Sequence, residues 1–217
     1  MNNGHFINWC SGRIRNRVLI DAVHAAAPKA DSFTGKIARA AAERLEAHWI
    51  VATVSRKLAD LNRPRGPTNS LAIDEYRTAI QMLLEEAELF TDGKLNRPFL
   101  HIAVHGMADR EDYDVEIGTR NGKSCSNETK VLVYQALQEW ARSRNFKPYP
   151  RIVADQIFVG DSSKTVHRCG DKVTGFPGYG PMFHTVQIEF AHWLRRQHRG
   201  DVVEALVLLG NRFAAAT

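Results

Sequence analysis

Short apolar runs alternate with helical segments along this chain of 217 residues, and this alternation limits the possible folds more than any other feature. An apolar run of strand length, followed by apolar residues spaced three or four apart, is typical of a strand that leads into a helix. Units of this kind build a mostly parallel sheet with helices on both faces. The element order β-α-β-α-β-α-β-β-α therefore predicts an α/β fold, a three-layer sandwich around a central, mostly parallel mixed sheet.

The predicted elements cover most of the chain. Strands are predicted at residues 17–23, 48–54, 99–104, 151–154 and 186–190, and helices at residues 34–47, 73–90, 130–144 and 202–213. Residues 109–126 are predicted to form a polar loop with short extended pieces, and the glycine-rich residues 160–182 an irregular loop. Because no repeat, low-complexity tract or long linker divides the sequence, we expect one domain over residues 1–217.

Composition and charge exclude several classes of protein. Hydrophobic residues make up 44% and charged residues 24% of the chain, as in a soluble globular protein. The net charge of +5 is spread out and lacks interleaved aromatic residues, so we expect no nucleic-acid partner. Three distant cysteines without a Cys-x-x-Cys pair indicate a reducing compartment. With no signal-peptide pattern and no apolar run of membrane length, we expect a cytoplasmic protein without membrane contact.

Three predicted strands end at side chains that could catalyse a reaction. His24 closes the first strand, His105 closes the third, and Glu189 lies near the end of the strand at residues 186–190. Ligands of open α/β sheets bind at the carboxyl ends of the strands. Imidazoles and carboxylates can bind Zn²⁺ and leave one position for water, whose proton Glu189 could accept. The alternative for each histidine is a hydrogen-bonded residue of the core.

A polar segment follows the strand at residues 48–54. It brings Arg56 and Arg63, with Asp60 and Asn62 between them, to the end of that strand. A guanidinium group can bind a carboxylate at two points, and Arg56 could also stabilise an oxyanion. The alternative is an ordinary surface loop with a local Asp–Arg pair. Together with the strand-end residues, the segment favours metal-assisted hydrolysis of an acyl–nitrogen bond in a substrate that carries a carboxylate.

Other polar residues are weaker candidates. His184 could bind substrate, support the site or simply pack. Cys125 has no histidine at a telling spacing, so we do not expect a thiol nucleophile. The remaining histidines after the first strand are interpreted as structural: His48, His101, His167, His192 and His198.

Five short motifs lie in order along most of the chain. They are Val23-His24-Ala25, Ser55-Arg56 with Asp60-Leu61-Asn62-Arg63-Pro64, Val104-His105-Gly106-Met107, Tyr179-Gly180-Pro181, and His184-Thr185-Val186-Gln187-Ile188-Glu189. In this order they resemble the motifs of the N-formylglutamate amidohydrolase family, relatives of the zinc carboxypeptidases and aspartoacylases. The second and fifth motifs are the specific ones.

This resemblance implies a zinc-exopeptidase type of fold, a zinc cofactor and a small acidic substrate. It implies a role for each matching residue: zinc ligands His24 and His105, general acid/base Glu189, carbonyl-polarising Arg56, and carboxylate-binding Asn62 and Arg63. The carboxypeptidase relatives have a metal-binding glutamate three residues after the first histidine, where this chain has Ala27. Because the family often places an acidic residue in this region, we assign Asp31 as the third ligand.

Three functions remain open on the sequence. The first is a zinc-dependent amidohydrolase that acts on a small, carboxylate-bearing N-acyl amino acid. The second is a metallopeptidase or an amidase of peptidoglycan fragments, with the same metal centre. The third is a binder of small acidic molecules that has lost a competent metal site, for which the missing glutamate is the main argument. The sequence does not fix the oligomeric state.

Overall fold

The computed structural model describes residues 1–144, 146–160 and 178–217. Its strands are β1 (Asn2–Asn3), β2 (Ile7–Cys10), β3 (Val18–Ala22), β4 (His48–Ala52), β5 (Phe90–Thr91), β6 (Lys94–Leu95), β7 (Phe99–Gly106), β8 (Val115–Gly118), β9 (Ile152–Ala154) and β10 (Phe183–Phe190). Its helices are α1 (Thr34–Leu45), α2 (Ser70–Glu86), α3 (Asn127–Ser143), α4 (His192–Gln197) and α5 (Arg199–Ala216). None of these described helices has the length and apolar character needed to cross a membrane.

Eight of the strands form one mixed sheet in the order β1-β2-β4-β3-β7-β10-β8-β9, and β5 and β6 form a separate hairpin. The four central strands, β4, β3, β7 and β10, run parallel to one another. Strand β2 pairs with β4, and β8 with β10, in antiparallel fashion. The predicted mostly parallel, mixed sheet is therefore confirmed.

Helices cover both faces of this sheet. On one face, α1, α3 and α5 contribute Ile37, Leu137 and Leu206 to a core that contains Ile102 and Val186 of the sheet. On the other face, α2 packs against a second core, which includes Leu19, Ile50 and Phe99. Because successive side chains of a strand point to opposite faces, strands covered on both sides are apolar at nearly every position. This arrangement confirms the predicted three-layer sandwich.

The structure differs from the sequence prediction at several places. Strand β8 lies inside the predicted polar loop; it has only four residues, and its buried Glu116 interrupts the apolar pattern. Strands β1 and β2, the hairpin of β5 and β6, and the short helix α4 were not predicted. Of the loop predicted at 160–182, residues 161–177 lie outside the described residues.

The four central strands are parallel, so their carboxyl ends lie at the same end of the sheet. Strand β7 extends to Gly106, so that His105 is its penultimate residue, and Glu189 occupies the same place in β10. His24 lies two residues beyond the end of β3, and Arg56 follows β4 by four residues. The fold thus brings these candidate site residues to the carboxyl ends of the strands, where open α/β sheets bind ligands.

Candidate metal centre

A hydrogen-bonded loop brings Asp31 back to His24. The Asp31 N–H donates to the carbonyl oxygen of His24 at 2.8 Å, which closes the chain between them. The Thr34 hydroxyl at the start of α1 donates to the Asp31 carbonyl oxygen at 2.7 Å. The residue seven positions after the first histidine is therefore fixed beside it.

The side chains of His24, His105 and Asp31 converge at the end of β3 and β7. The Nδ1 atoms of His24 and His105 lie 3.5 Å and 3.3 Å from Oδ2 of Asp31, and one potential ligand atom from each residue lies within 4.8 Å of the other two. All three residues are buried. Nε2 of His105 is buried without a hydrogen-bond partner in the described part of the chain. Two imidazoles and one carboxylate, with a ring nitrogen left unpaired, fit a zinc site that keeps one position open.

Asp60 orients the imidazole of His24. Its Oδ1 lies 2.8 Å from Nε2 of His24 and also accepts the Asn62 N–H at 2.9 Å. From this geometry we assign the proton of the neutral ring to Nε2, which leaves the lone pair of Nδ1 as an acceptor for Arg56. A carboxylate on the far nitrogen is the usual second partner of a metal-binding histidine. No such role was predicted for Asp60 from the sequence, which placed it only at the end of the strand at residues 48–54.

The guanidinium group of Arg56 lies against the same cluster. Its Nε donates to the Lys29 carbonyl oxygen at 2.7 Å and its Nη1 to Nδ1 of His24 at 2.9 Å, while Nη2 pairs with the Asp31 carboxylate. The guanidinium therefore occupies the side of His24 and Asp31 that faces a potential ligand. A fixed positive charge next to a buried carboxylate compensates its desolvation.

The pKa values of the cluster reflect opposing causes. Burial opposes ionisation of His24, but hydrogen bonds and charges of Asp31 and Asp60 outweigh it and raise the pKa of His24. Burial also opposes ionisation of Asp31, yet its bonds to the two histidines hold the pKa of this carboxyl well below its usual range. The pKa of Asp60 is lowered in the same way, mainly through His24. The two carboxylates remain ionised near neutral pH, which favours binding of a divalent cation.

Glu189 lies beside this cluster on the neighbouring strand. It pairs in register with His105 of β7, and because the strands are parallel both side chains point to the same face, with Cα atoms about 4.8 Å apart. The Glu189 side chain is buried, and its Oε1 accepts a hydrogen bond from Nε2 of Gln187 at 2.9 Å. A buried carboxyl group thus lies on the same face of the sheet as His105, one strand away.

The two predicted carboxylate-binding residues follow Asp60 directly. Asn62 is buried, and its Oδ1 has no hydrogen-bond partner in the described part of the chain. The Arg63 side chain is 63% exposed, and its Nε lies 3.6 Å from Oδ2 of Asp60. The segment that orients His24 therefore also carries both groups that could bind a substrate carboxylate.

His184 lies away from the cluster. Glu189 lies five positions further along β10, so the two side chains point to opposite faces and lie about 16 Å apart along the strand. Its Nδ1 accepts the Ser126 N–H at 3.2 Å, and its ring contacts Phe213 of α5. We therefore leave His184 out of the site.

Two of the histidines interpreted as structural are buried in the described part of the chain, and Cys125 is not reactive there. His48 and His101 are buried and hydrogen-bonded, while His167 lies outside the described residues. Cys125 is a free thiol, and burial raises its pKa to about 12, so that it is un-ionised at neutral pH.

Sequence and structure comparisons give different results. No protein-family model matches the chain, and no curated protein matches it significantly. Among solved structures, an N-formylglutamate amidohydrolase from Ralstonia eutropha JMP134 matches with a TM-score of 0.69 and 15% identity, over 97% of each chain. A bacteriophage poly-gamma-glutamate hydrolase matches with a TM-score of 0.57 and 14% identity, over 100% of this chain and 94% of its own.

A more distant match extends the group. A metallo-carboxypeptidase from Burkholderia cenocepacia has a TM-score of 0.52 and 11% identity, over 97% of this chain and 60% of its own. At such identities the likeness establishes the fold. The chain therefore adopts the fold shared by these amidohydrolase and carboxypeptidase structures, as its motifs predicted.

Proposed function

We propose that the protein is a zinc-dependent hydrolase that cleaves the acyl–nitrogen bond of a small N-acyl amino acid carrying a carboxylate. The observation that carries the proposal is the convergence of His24, His105 and Asp31, with Glu189 in register beside His105. The donor set suits zinc, and the unpaired Nε2 of His105 agrees with a ligand role. The fold likeness to an N-formylglutamate amidohydrolase supports the choice of reaction.

The chain's own residues divide the chemistry between them. A zinc ion held by His24, His105 and Asp31 would supply Lewis-acid activation of water and of the scissile carbonyl group. Glu189 accepts the proton of the attacking water and later donates it to the leaving nitrogen. Arg56 stabilises the oxygen that becomes negatively charged as the carbonyl carbon becomes tetrahedral.

Substrate recognition depends on the segment after Asp60. The amide of Asn62 and the guanidinium of Arg63 would bind the substrate carboxylate. Hydrogen bonds between a guanidinium and a carboxylate are strong because both groups are charged. Because Asp60 Oδ1 also fixes the backbone of Asn62, one carboxylate sets the positions of both the metal ligand His24 and a substrate-binding group.

A second candidate function is hydrolysis of a longer acidic chain. The observation that favours it is the exposure of Arg63, since an exposed guanidinium can bind a carboxylate that lies outside a closed pocket. The likeness to a poly-gamma-glutamate hydrolase agrees with this choice. A panel that contains N-formyl-, N-acetyl- and N-succinylglutamate together with γ-linked glutamate oligomers would distinguish the two substrates.

The proposal is tested by metal content and by Glu189→Gln. We expect one zinc ion for each chain, and a rate on the best substrate that falls by roughly 10²–10⁴ in the variant while the zinc content stays unchanged. Glu128→Gln, in the exposed first turn of α3, is the control and should keep the full rate. A protein that binds no zinc, or a Glu189→Gln variant with the wild-type rate, would show the mechanism to be wrong.

A thermal-shift experiment separates the hydrolase from a non-catalytic binder. The hydrolase should be stabilised by zinc alone, because the ligand set binds the metal without substrate. A binder without a metal site should be stabilised by glutamate or N-acetylglutamate in the presence of a chelator, and not by zinc.

A further inference from the structure

A buried arginine on α4 binds three separate segments of backbone. Arg195 is 3% exposed, and it donates from Nε to the carbonyl oxygen of Phe190 at 2.9 Å, from Nη1 to that of Ser32 at 2.6 Å, and from Nη2 to that of Met107 at 2.8 Å. Guanidinium is planar, so its N–H groups have fixed relative directions. One side chain therefore fixes three carbonyl groups relative to one another.

Each of these carbonyl groups lies next to a residue of the candidate centre. Ser32 directly follows Asp31, Phe190 directly follows Glu189, and Met107 lies two residues after His105. The three segments come from different parts of the chain: the loop before α1, the end of β7 and the end of β10. Arg195 thus joins all three segments through one side chain, in addition to the direct hydrogen bonds from the Met107 N–H to the Phe190 carbonyl oxygen and from the Gly106 N–H to Asp31.

Gly106 leaves the space that the guanidinium occupies. A Cβ at this position would overlap the Cζ and nitrogen atoms of Arg195, so a larger residue would displace either the strand end or the arginine. The Gly106 N–H donates to Oδ2 of Asp31 at 3.1 Å. The end of β7 is therefore shaped to fit Arg195 on one side and to bind Asp31 on the other.

The charge of Arg195 is also compensated by the site. Burial lowers the pKa of Arg195, and the carboxylates of Asp31, Glu189 and Asp109 act in the opposite direction. A guanidinium stays charged in proteins, so it contributes a positive charge near two carboxylates of the centre. Its three hydrogen bonds in the described structure go to carbonyl groups, which leaves the Asp31 and Glu189 oxygens for other partners.

We propose that Arg195 is a positioning residue of the metal centre: it fixes the segments that carry Asp31, His105 and Glu189 at the distances that metal binding and proton transfer require. This inference rests on the proposed function. Removing the guanidinium leaves three carbonyl groups, two of them in buried contacts, without that donor. The ladder between β7 and β10 remains, so the loop that carries Asp31 should gain the most freedom relative to the strand ends.

The first measurement is the zinc affinity of Arg195→Met, determined by competition with a chelator. We expect it to be 10–100-fold weaker than wild type, the usual effect of removing a group that orients metal ligands. Arg195→Lys should lie between the two, because one ammonium group cannot reproduce three donors in a planar array. This second variant also serves if Arg195→Met fails to fold.

The matched control is His48→Ala. His48 is as buried as Arg195 and also connects backbone segments, since its Nδ1 accepts the Gly12 N–H at 3.0 Å and its Nε2 lies 3.0 Å from the Asn16 carbonyl oxygen. It is the first residue of β4, at the amino-terminal end of the parallel strands, whereas the site lies at their carboxyl ends. The control should lose stability and keep the wild-type zinc affinity.

Hydrogen exchange of the metal-free protein supplies a readout that does not depend on zinc. The amides of Gly106 and Asp31 should exchange faster in the Arg195 variants and not in His48→Ala. The proposal would be overturned if the Arg195 variants, compared with His48→Ala at equal loss of stability, had the same zinc affinity and the same exchange rates as this control. If wild type binds no zinc, the proposed function is wrong, and exchange at these two amides alone decides whether Arg195 positions the three segments.

Discussion

His101 and His105 lie four residues apart on the same face of β7, and their surroundings differ. Nε2 of His101 lies 2.9 Å from an Asp21 oxygen that also accepts the Tyr76 hydroxyl at 2.5 Å, and its Nδ1 lies 3.4 Å from the Thr185 hydroxyl. All four residues are almost fully buried. His105 shares Asp31 with His24, at the end of the strands, and one of its ring nitrogens is unpaired in the described structure.

The comparison shows what separates a structural histidine from a potential ligand. Both histidines lie on β7 and near an aspartate from another part of the chain, so residue type and spacing do not distinguish them. The difference is that the two ring nitrogens of His101 have separate protein partners, whereas donor atoms of His105, His24 and Asp31 converge on one point. Two imidazoles and a carboxylate that converge in this way, next to the guanidinium of Arg56, could hold a metal ion.

The largest expected effect comes from His105→Leu. Because it removes one of three donors, zinc binding should fall below detection in a chelator-competition experiment. Stability of the metal-free protein should fall less than in His101→Leu: Asp31 loses its contact with His105 but keeps Arg56, His24 and the Gly106 N–H as partners, and the substitution also removes a buried nitrogen without a hydrogen-bond partner. Zinc binding at wild-type strength would exclude His105 as a ligand and remove the basis of the comparison.

The same substitution at His101 should have the opposite pattern. His101→Leu leaves the buried Asp21 carboxylate without one of its partners, and the free energy of unfolding should fall by about 3–5 kcal/mol. Zinc affinity of the folded fraction should equal that of wild type. Denaturant titration with and without zinc measures both quantities, and a selective loss of zinc affinity in this variant would show that the two clusters are coupled.

A smaller effect is expected from Asp60→Asn, which keeps the size of the side chain and removes its charge. The amide can turn its NH₂ group toward Nε2 of His24 and stabilise the wrong tautomer, so zinc affinity should weaken by about 10–100-fold. Asp74→Asn, on the outer part of α2, is the control and should not alter zinc binding. An unchanged affinity in Asp60→Asn would mean that His24 needs no orienting carboxylate.

The smallest effect concerns Cys125, which can report on opening of the fold. Burial raises the pKa of this thiol to about 12, so at pH 8 it is almost wholly protonated and should react slowly with iodoacetamide. Alkylation should speed up in His101→Leu, where the core is weakened, and not in His105→Leu. Peptide-resolved mass spectrometry checks this, because it separates Cys125 from the other thiols.

Much of the fold was predictable because the central strands are buried on both faces and read as continuous apolar runs. The positions of His24, His105 and Glu189 at the strand ends followed from those runs. Strand β8 could not be found in the same way, because a buried glutamate interrupts its four residues. The buried carboxylate of Glu116 accepts hydrogen bonds from the backbone N–H groups of residues 156–158, and no local sequence pattern predicts this contact.

The candidate site was less predictable than the fold. The partnership of Asp60 with His24 and the position of Arg195 depend on tertiary contacts between distant segments. The position of His184 outside the site could have been predicted from the sequence, because an odd separation from Glu189 along one strand puts the two side chains on opposite faces. Asp31 was assigned by resemblance, and its return to His24 depends on a loop whose hydrogen bond the sequence does not specify.

The contact of Arg56 with Nδ1 of His24 and with Asp31 has a kinetic consequence. A cation that binds Nδ1 of His24 and the Asp31 carboxylate would have to displace this guanidinium, so we expect uptake to be an exchange in which Arg56 leaves first. The observed rate should then level off as the ion concentration rises, at the frequency with which Arg56 leaves. Once displaced, the guanidinium would be free to contact another ligand, so binding of the cation would also prepare Arg56 for the role proposed above.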